Sequence, residues 1–335
     1  LIDQEVNLHI KDSENQFFIP GSSIKGAVRT ALLYTVLEET KPNINQLLEG
    51  IPNTDIKGVL NVEKKEAKRA GMEIEKFVFR AGYRKDDGTI SYNDAKFDLL
   101  KFIHFSDAYP IKAEYSIMPI RTVSSVSKTL MNMKHFITNA EVIESGEFNC
   151  NLEIDMKGLL ALKDINKKDE WIDSEEKVYK VFGFQLSELT PNNLKEYEGK
   201  IVKRLLEVSS IFFQKKKEKD LELISYKDEN NLLKWKEIQV DNKPFGAESL
   251  KNKYPEMKEG IIELGFGGGW KGKTVGLYFD RKKIDSFRIR FKNRWSGKFH
   301  QGRPFWLFPK TMRVAFWMEN DRPFIFPLGW ICLEL

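Results

Sequence analysis

The sequence has 335 residues, enough for two ordinary domains that each bury a core. Hydrophobic residues make up 41% and charged residues 31%, which is typical of globular proteins and too apolar for a disordered chain. No apolar run approaches the roughly 20 residues of a membrane span and no secretion signal is recognisable, so we expect a cytoplasmic protein without a membrane partner. The two cysteines, Cys150 and Cys332, exclude a disulfide framework and a cysteine-rich metal site.

The first predicted element is a helix that follows the segment FIPGSS. Pro20 and Gly21 turn the chain, and Ser22 or Ser23 is predicted to cap the helix. Apolar residues then recur at helical spacing. They are Ile24, Ala27, Val28, Ala31, Leu32 and Val36.

The start of this helix is a candidate anion site. Its free N–H groups and the positive end of its dipole favour an anion, and Lys25 and Arg29 lie on the side opposite the apolar residues. Gly26 is unfavourable inside a helix, which predicts that a backbone or a ligand passes close to it. A capped amphipathic helix with two solvated cations is the alternative interpretation.

Further along, the chain alternates between strands and helices, which predicts an α+β fold. Strands are predicted in QFFIP, KFIHFSDAYPI, EFNCNLEI, GIIELGF, RIRF and RPFIFPLGWICLEL. A second helix is predicted from Ile201, Leu205, Val208 and Phe212, with the charged run QKKKEKD as its solvated end. The polar residues 164–173 are the best candidate for a domain boundary. They divide the chain into the predicted domains 1–163 and 164–335.

Basic residues concentrate near the C-terminus. The segment from Lys271 to Arg313 holds thirteen of the 54 Lys and Arg residues but only two of the 49 Asp and Glu residues, so the rest of the chain is net acidic. Aromatic residues interleave this segment. Cations neutralise phosphates and aromatic faces stack on unpaired bases, so the mixture favours single-stranded nucleic acid. A half-buried strand with solvated charges is the alternative.

The segment ELGFGGGWKGKTVG matches the phosphate-loop pattern of NTPases, with Gly267 followed by Gly272, Lys273 and Thr274. However, VGLYFD is a poor helix sequence, and too little chain follows Thr274 for the doubly wound fold that uses this loop. We therefore interpret the segment as a glycine-rich turn whose amides, with Lys271 and Lys273, approach a phosphate backbone.

These motifs resemble the signatures of the repeat-associated mysterious proteins, the RAMP superfamily of CRISPR RNA-binding subunits. FIPGSSIKGAVRTALL is similar to the first helix motif of that superfamily, and LGFGGGWKGKTV is similar to its glycine-rich loop. FPKTMRVAF followed by PLGWICLEL narrows the resemblance to subunit five of the type III-A Csm interference complex. The family's usual first strand and histidine-glycine motif have no counterpart here, which predicts a missing N-terminal part. Met312 replaces one member of the family's basic pair.

The resemblance implies two ferredoxin-like βαββαβ domains and a non-catalytic subunit that caps the 3′ end of a single-stranded guide RNA, in guide maturation and antiviral defence. It implies no cofactor or metal. The implied protein partners are a backbone RAMP subunit and a small helical subunit, with trimming nucleases as further candidates. PIRTVSSVSKT, interpreted as a loop, is a further RNA contact. The predicted RNA-binding residues are Gly21, Ser22, Ser23, Lys25, Arg29, Arg121, Thr122, Lys128, Gly267, Gly268, Gly269, Lys271, Lys273, Lys310 and Arg313.

Other functions stay open alternatives. His104 and His135 could form the acid–base pair of a metal-independent endoribonuclease. Asp107 could correspond to the aspartate with which backbone RAMP subunits cleave target RNA, although its setting resembles that of a structural aspartate. A protein–protein adaptor that does not touch RNA and an NTPase are the remaining alternatives.

Overall fold

The helices and strands are described from a computed structural model, which defines residues 6–42, 74–127, 130–165, 168–225, 250–265, 268–278, 311–319 and 322–335. The helices are α1 (Gly21–Thr40), α2 (74–79), α3 (Met156–Ala161), α4 (Ser174–Phe182), α5 (Leu194–Ser225) and α6 (Gly269–Lys273). The strands are β1 (Val6–Asn7), β2 (Tyr83–Arg84), β3 (Ile90–Ser91), β4 (Ile103–Phe105), β5 (Tyr109–Ser127), β6 (Leu130–Asn149), β7 (Leu152–Ile154), β8 (Ile261–Glu263), β9 (Thr311–Glu319), β10 (Arg322–Pro327) and β11 (Trp330–Cys332).

Helix α1 forms where the sequence predicts it. The six apolar residues predicted for its buried face are each at most 7% exposed. Leu33, Tyr34 and Leu37 are buried as well, so the second half of α1 is surrounded by the core. The helix ends at Thr40, and Lys41 adopts a left-handed conformation. The prediction of this helix is confirmed.

Helix α5 is the second predicted helix, and it packs against α1. Its four predicted apolar residues are at most 1% exposed, and the ring of Phe212 lies 5.3 Å from that of Tyr34. The predicted solvated end is wrong, because the helix continues through residues 214–220 to Ser225. Lys216 and Asp220 in this run are only 4% and 5% exposed, since they pair with each other inside the protein.

The main sheet has five strands in the order β1-β6-β5-β9-β10. The long strands β5 and β6 form an antiparallel hairpin, and β1 joins β6 in parallel. Residues 120–124 of β5 pair with residues 311–315 of β9. The sheet therefore joins strands from both sides of residues 163 and 164. The α+β class is confirmed, whereas the two ferredoxin-like domains and their boundary stay predictions.

The predicted strands are found with several interruptions. KFIHFSDAYPI forms β4 and the start of β5, and EFNCNLEI forms the end of β6 and β7. GIIELGF contains β8, and RPFIFPLGWICLEL splits into β10 and β11. QFFIP makes only isolated bridges, through Phe17 and Ile19. RIRF lies outside the described residues. None of the helices in the described ranges combines the length and the hydropathy of a membrane span.

Lys177 on α4 is a buried cation. Its Nζ donates to the carbonyl oxygen of Phe77 and lies 5.0 Å from the Phe77 ring and 5.7 Å from the Tyr92 ring. Burial, followed by the charge of Lys180, lowers the pKa of Lys177 to about 8, although Glu176 opposes the shift. The folded chain therefore bears a cost for keeping this lysine charged.

We predict that the free energy of unfolding rises as pH increases from about 8, the folded-state pKa, to about 10.4, the pKa of an unfolded lysine. In this window the unfolded state binds more protons than the folded state, and the gain is roughly 3 kcal/mol. Below pH 8 the cost of the buried cation is fully present. Urea unfolding of the wild type and of Lys177→Met between about pH 7.5 and 10.5 isolates this contribution. Parallel curves for the two proteins would contradict the prediction.

Candidate nucleic-acid interface

The first turn of α1 is held by a carboxylate from the turn between β4 and β5. The N–H of Gly21 donates to Oδ1 of Asp107 at 2.8 Å. Pro20 occupies the N-cap position, so the prediction that Ser22 or Ser23 caps the helix is wrong. Because the helix begins at Gly21, both serines lie within the first turn, where they are exposed.

Gly21 lies in close contact with the backbone of the same turn. A Cβ atom at this position would lie 2.2 Å from the carbonyl oxygen of Phe105 and 2.5 Å from that of Ser106. Ile19 and Ala108 exchange backbone hydrogen bonds of 2.9 and 2.8 Å beside it. The FIPGSS segment is therefore fixed against residues 105–108.

Lys25 and Arg29 both have partners inside the protein. Lys25 Nζ donates to the carbonyl oxygen of Ile103 at 2.8 Å, and burial lowers the pKa of Lys25. Arg29 donates two hydrogen bonds to Asp98, at 3.1 and 2.8 Å, and two to Glu75, at 3.1 and 2.9 Å. Arg29 therefore belongs to an ion-pair network with Asp98 and Glu75.

This network ties α1 to α2 and to Asp98, which lies between two 3-10 helices, Ala95–Phe97 and Leu99–Phe102. Burial lowers the pKa of Arg29, but the hydrogen bond and charge of Asp98, together with Glu75, outweigh it and raise the pKa overall. The guanidinium also lies 4.3 Å from the centre of the Phe79 ring. RNA contact by Arg29 stays a prediction. The sequence carried no local signal for these carboxylates, which lie 46 and 69 residues away.

Gly26 is exposed on the surface of α1. Around a Cβ built at this position, no atom of the described structure beyond the adjoining part of α1 lies within 4 Å. The described residues thus provide no close backbone at Gly26, and the approach of a ligand stays a prediction.

The glycine-rich segment follows β8 and contains a short helix. Gly265 and Gly269 have φ values of 71° and 56°, in the left-handed region that favours glycine. Helix α6 spans five residues, and a 3-10 helix at Val275–Tyr278 follows it, although VGLYFD is a poor helix sequence. Strand β8 pairs antiparallel with β11. This arrangement differs from the parallel sheet that precedes an NTPase phosphate loop.

A buried ionic cluster lies beneath this segment. Lys216 Nζ lies 2.6 Å from Oδ2 of Asp220 and 2.7 Å from Oε2 of Glu263, and all three side chains are at most 7% exposed. Burial lowers the pKa of Lys216, but the two carboxylates outweigh it and raise the pKa overall. We call Lys216, Asp220 and Glu263 the buried cluster.

The buried cluster contacts the glycine-rich segment directly. A Cβ at Gly272 would lie 2.9 Å from Glu263 Oε2 and 3.2 Å from Lys216 Cε, and a Cβ at Gly268 would lie 3.6 Å from the same oxygen. A side chain at Gly272, which the phosphate-loop pattern assigns to nucleotide binding, would thus crowd the buried cluster. The sequence signals were the i, i+4 pair of Lys216 and Asp220 and the single acid in the strand IIEL.

Helix α1 packs against both α6 and the 3-10 helix after it, so the elements that carry the two predicted RNA-binding motifs are neighbours in the fold. Lys273 at the end of α6 is exposed, and Gly268 is buried. Lys271 belongs to α6, but its side chain lies outside the described part of the chain. Gly267, Lys128, Lys310 and the basic residues 279–310 also lie outside it.

A second group of predicted residues lies on the main sheet. PIRTVSSVSKT was predicted to be a loop, and this is wrong as far as Ser127, because the segment continues β5 and pairs with β6 and β9. Thr122 lies directly opposite Arg313, which is exposed. The guanidinium of Arg121 lies 5.0 Å from the centre of the Phe316 ring.

The residues considered for catalysis are dispersed. His104 lies on β4, which pairs with β7, whereas His135 lies on β6 in the main sheet. Asp107 accepts the hydrogen bond from Gly21 described above. The structure thus gives Asp107 a part in holding α1.

The comparisons with known proteins agree with the resemblance. A model of the RAMP superfamily matches residues 2–272. A Methanocaldococcus jannaschii protein, named CRISPR system Cms protein Csm5, is 25% identical over 342 residues, covering 97% of this chain. The chain spans 64% of that relative's length.

Two solved structures have similar chains. One belongs to the cryo-EM structure of a Csm-crRNA-target RNA ternary complex in a type III-A CRISPR-Cas system, with a TM-score of 0.57 and 19% identity over 99% of this chain and 76% of that one. The crystal structure of T. onnurineus Csm5 gives a TM-score of 0.49 at 18% identity, over 98% and 74% of the two chains. The family match covers well over half of the chain, and this protein therefore belongs to the RAMP superfamily.

Proposed function

We propose that this protein is a guide-RNA-binding subunit of a type III-A CRISPR effector complex. Its superfamily, the Csm5 name of its relative and the complex that contains its structural neighbour support this function. The observation that carries the proposal is the packing of α1 against α6 and the 3-10 helix after it, because it makes the elements that carry the two motifs neighbours in the fold.

The exposed groups of these two motifs suit a phosphate backbone. Ser22 and Ser23 are exposed hydroxyl groups, Lys273 is an exposed cation, and Gly26 leaves space for close approach. Such contacts read the shape and charge of RNA rather than its base sequence. A subunit that must accept many different guides requires this kind of recognition.

Several finer parts of the proposal derive from the resemblance. We propose that the subunit caps the 3′ end of the guide beside a backbone RAMP subunit and a small helical subunit, and that it folds as two ferredoxin-like domains. We also propose that it binds RNA without cleaving it. The hydrogen bond between Asp107 and Gly21 supports a structural role for this aspartate.

We predict that Lys271→Gln combined with Lys273→Gln weakens RNA binding and its dependence on salt. Each lost phosphate contact to a single strand reduces the slope of log affinity against log salt by about 0.7, so the double variant should lose about 1.4 from the slope. Fluorescence anisotropy with a labelled single-stranded guide RNA at four salt concentrations measures both quantities. ATP at millimolar concentration should not compete.

The matched control is Lys157→Gln combined with Lys195→Gln, which removes two exposed cations from α3 and α5. It changes the net charge equally and should leave the slope near that of the wild type. Equal slopes for all three proteins would refute the proposed RNA site. Photoreactive nucleotides placed in the 3′ or 5′ segment of the same RNA test the capping role, since crosslinks should favour the 3′ segment.

A further inference from the structure

Three aromatic rings form a stack on the strand pair β9 and β10. Trp317 lies directly opposite Phe324, with ring centroids 5.5 Å apart and planes inclined by 11°. The Trp317 ring also stacks on Phe326, at 5.1 Å and 7°. Ala315 lies opposite Phe326, and its small side chain leaves space for the indole ring. We call Trp317, Phe324 and Phe326 the aromatic stack.

The aromatic stack lies on the face opposite a well-packed part of the core. Residues alternate between the two faces of a strand, and Val314, Phe316 and Ile325, which point the other way, are at most 2% exposed. Each member of the stack is only half-buried. Part of the aromatic surface therefore remains open to solvent.

Cations accompany these rings. Lys253 is exposed, and its Nζ lies 4.8 Å from the centre of the Phe326 ring. Arg313 is exposed on the same face of β9 as Trp317, four residues earlier. Aromatic faces combined with cations are the arrangement by which proteins bind unpaired bases and their phosphates.

A backbone hydrogen bond joins the chain after the aromatic stack to the start of the glycine-rich segment. Strand β10 ends at Pro327, and the carbonyl oxygen of Gly329 accepts the N–H of Leu264 at 2.7 Å. Leu264 immediately precedes Gly265, the first glycine of that segment. The strand that carries two rings of the stack is thus followed, two residues after its end, by a hydrogen bond to the residue before this segment.

We propose that the aromatic stack binds an unpaired base of the RNA by stacking, with Lys253 and Arg313 beside the adjoining phosphates. The proposal rests on the proposed function and adds to it a contact that requires a base to be present, whatever its identity. Phosphate contacts alone would bind a ribose-phosphate chain without bases equally well. Stacking predicts a preference for the chain that carries bases.

The test compares two labelled probes of equal length, a twelve-nucleotide oligoadenylate and a chain of twelve abasic ribose phosphates. Trp317→Leu keeps apolar bulk but removes the aromatic face. It should weaken binding of oligoadenylate about tenfold, the order of one base–aromatic stack, and leave binding of the abasic chain unchanged. Trp317→Phe keeps a ring and should stay within about threefold of the wild type.

Phe324→Leu provides a second variant should Trp317→Leu fail to fold, and it should show the same selective loss. Equal effects of the leucine variants on both probes, or no effect on either, would overturn the stacking proposal. If the wild type binds both probes with a salt slope that depends on Lys271 and Lys273, the proposed function survives that result. If the wild type binds neither probe, the proposed function itself fails.

Discussion

Lys216→Met is expected to lower the free energy of unfolding by about 3–5 kcal/mol, the usual cost of removing one partner from a buried ion pair. Lys216 Nζ lies within 2.7 Å of carboxylate oxygens from both Asp220 and Glu263, and the three side chains are nearly inaccessible to water. Methionine fills similar space but leaves two buried carboxylates without the cation that they share. Urea unfolding at about pH 7 measures the loss.

Lys215→Met is the matched control, because Lys215 is the preceding residue on α5 and its side chain is 42% exposed. Its ion pair with Glu218 lies at the surface, where such pairs contribute about 1 kcal/mol or less. A loss at Lys216 no larger than that at Lys215 would contradict the role assigned to the buried cluster.

A triple variant distinguishes two causes of the lost stability, the burial of unpaired charge and the loss of side-chain packing. Lys216→Met, Asp220→Leu and Glu263→Leu together remove every charge of the buried cluster. Replacement of buried ion pairs by apolar residues is often neutral or stabilising, so the triple variant should recover much of the stability. RNA binding should not recover in parallel, because the Glu263 carboxylate lies beside Gly272, where an added Cβ would be 2.9 Å from its Oε2.

The spacing of apolar residues was sufficient to predict the helices that bury one face in the core. Helix α1 and the first part of α5 follow from apolar spacing alone, since each apolar side chain reaches the same core. The run QKKKEKD shows where this reasoning ends. In the sequence Lys216 resembles a solvated lysine. In the fold it is buried, because Glu263, 47 residues later, places a carboxylate beside it.

The same limit explains the predictions for the binding site. Arg29 was interpreted as an RNA contact because it lies on the polar face of α1, but Asp98 and Glu75 reach it only through tertiary folding. Residues 120–127 contain three serines and resemble a loop. Pairing with β6 and β9 makes them a strand, because neighbouring strands can override a weak local preference.

Gly21→Ala is the second substitution with a large expected effect. The added methyl group would lie 2.2 Å from one carbonyl oxygen and 2.5 Å from another, both of the backbone, which cannot move aside as a flexible side chain can. Relief requires α1 to shift away from residues 105–108, and the hydrogen bond from Gly21 to Asp107 weakens with it. We expect a loss of about 3 kcal/mol in the free energy of unfolding.

Gly26→Ala is the natural companion, because it adds the same methyl group one and a half turns further along α1. Here the added Cβ meets no atom of the described structure beyond the adjoining part of α1 within 4 Å, and alanine favours the helix by up to about 1 kcal/mol. The fold should therefore be as stable as the wild type or slightly more so. Lower RNA affinity in this stable variant would show that RNA approaches Gly26 closely. Unchanged affinity would mean that RNA does not approach this surface of α1, whereas a destabilised Gly26→Ala variant would contradict the open environment found around Gly26.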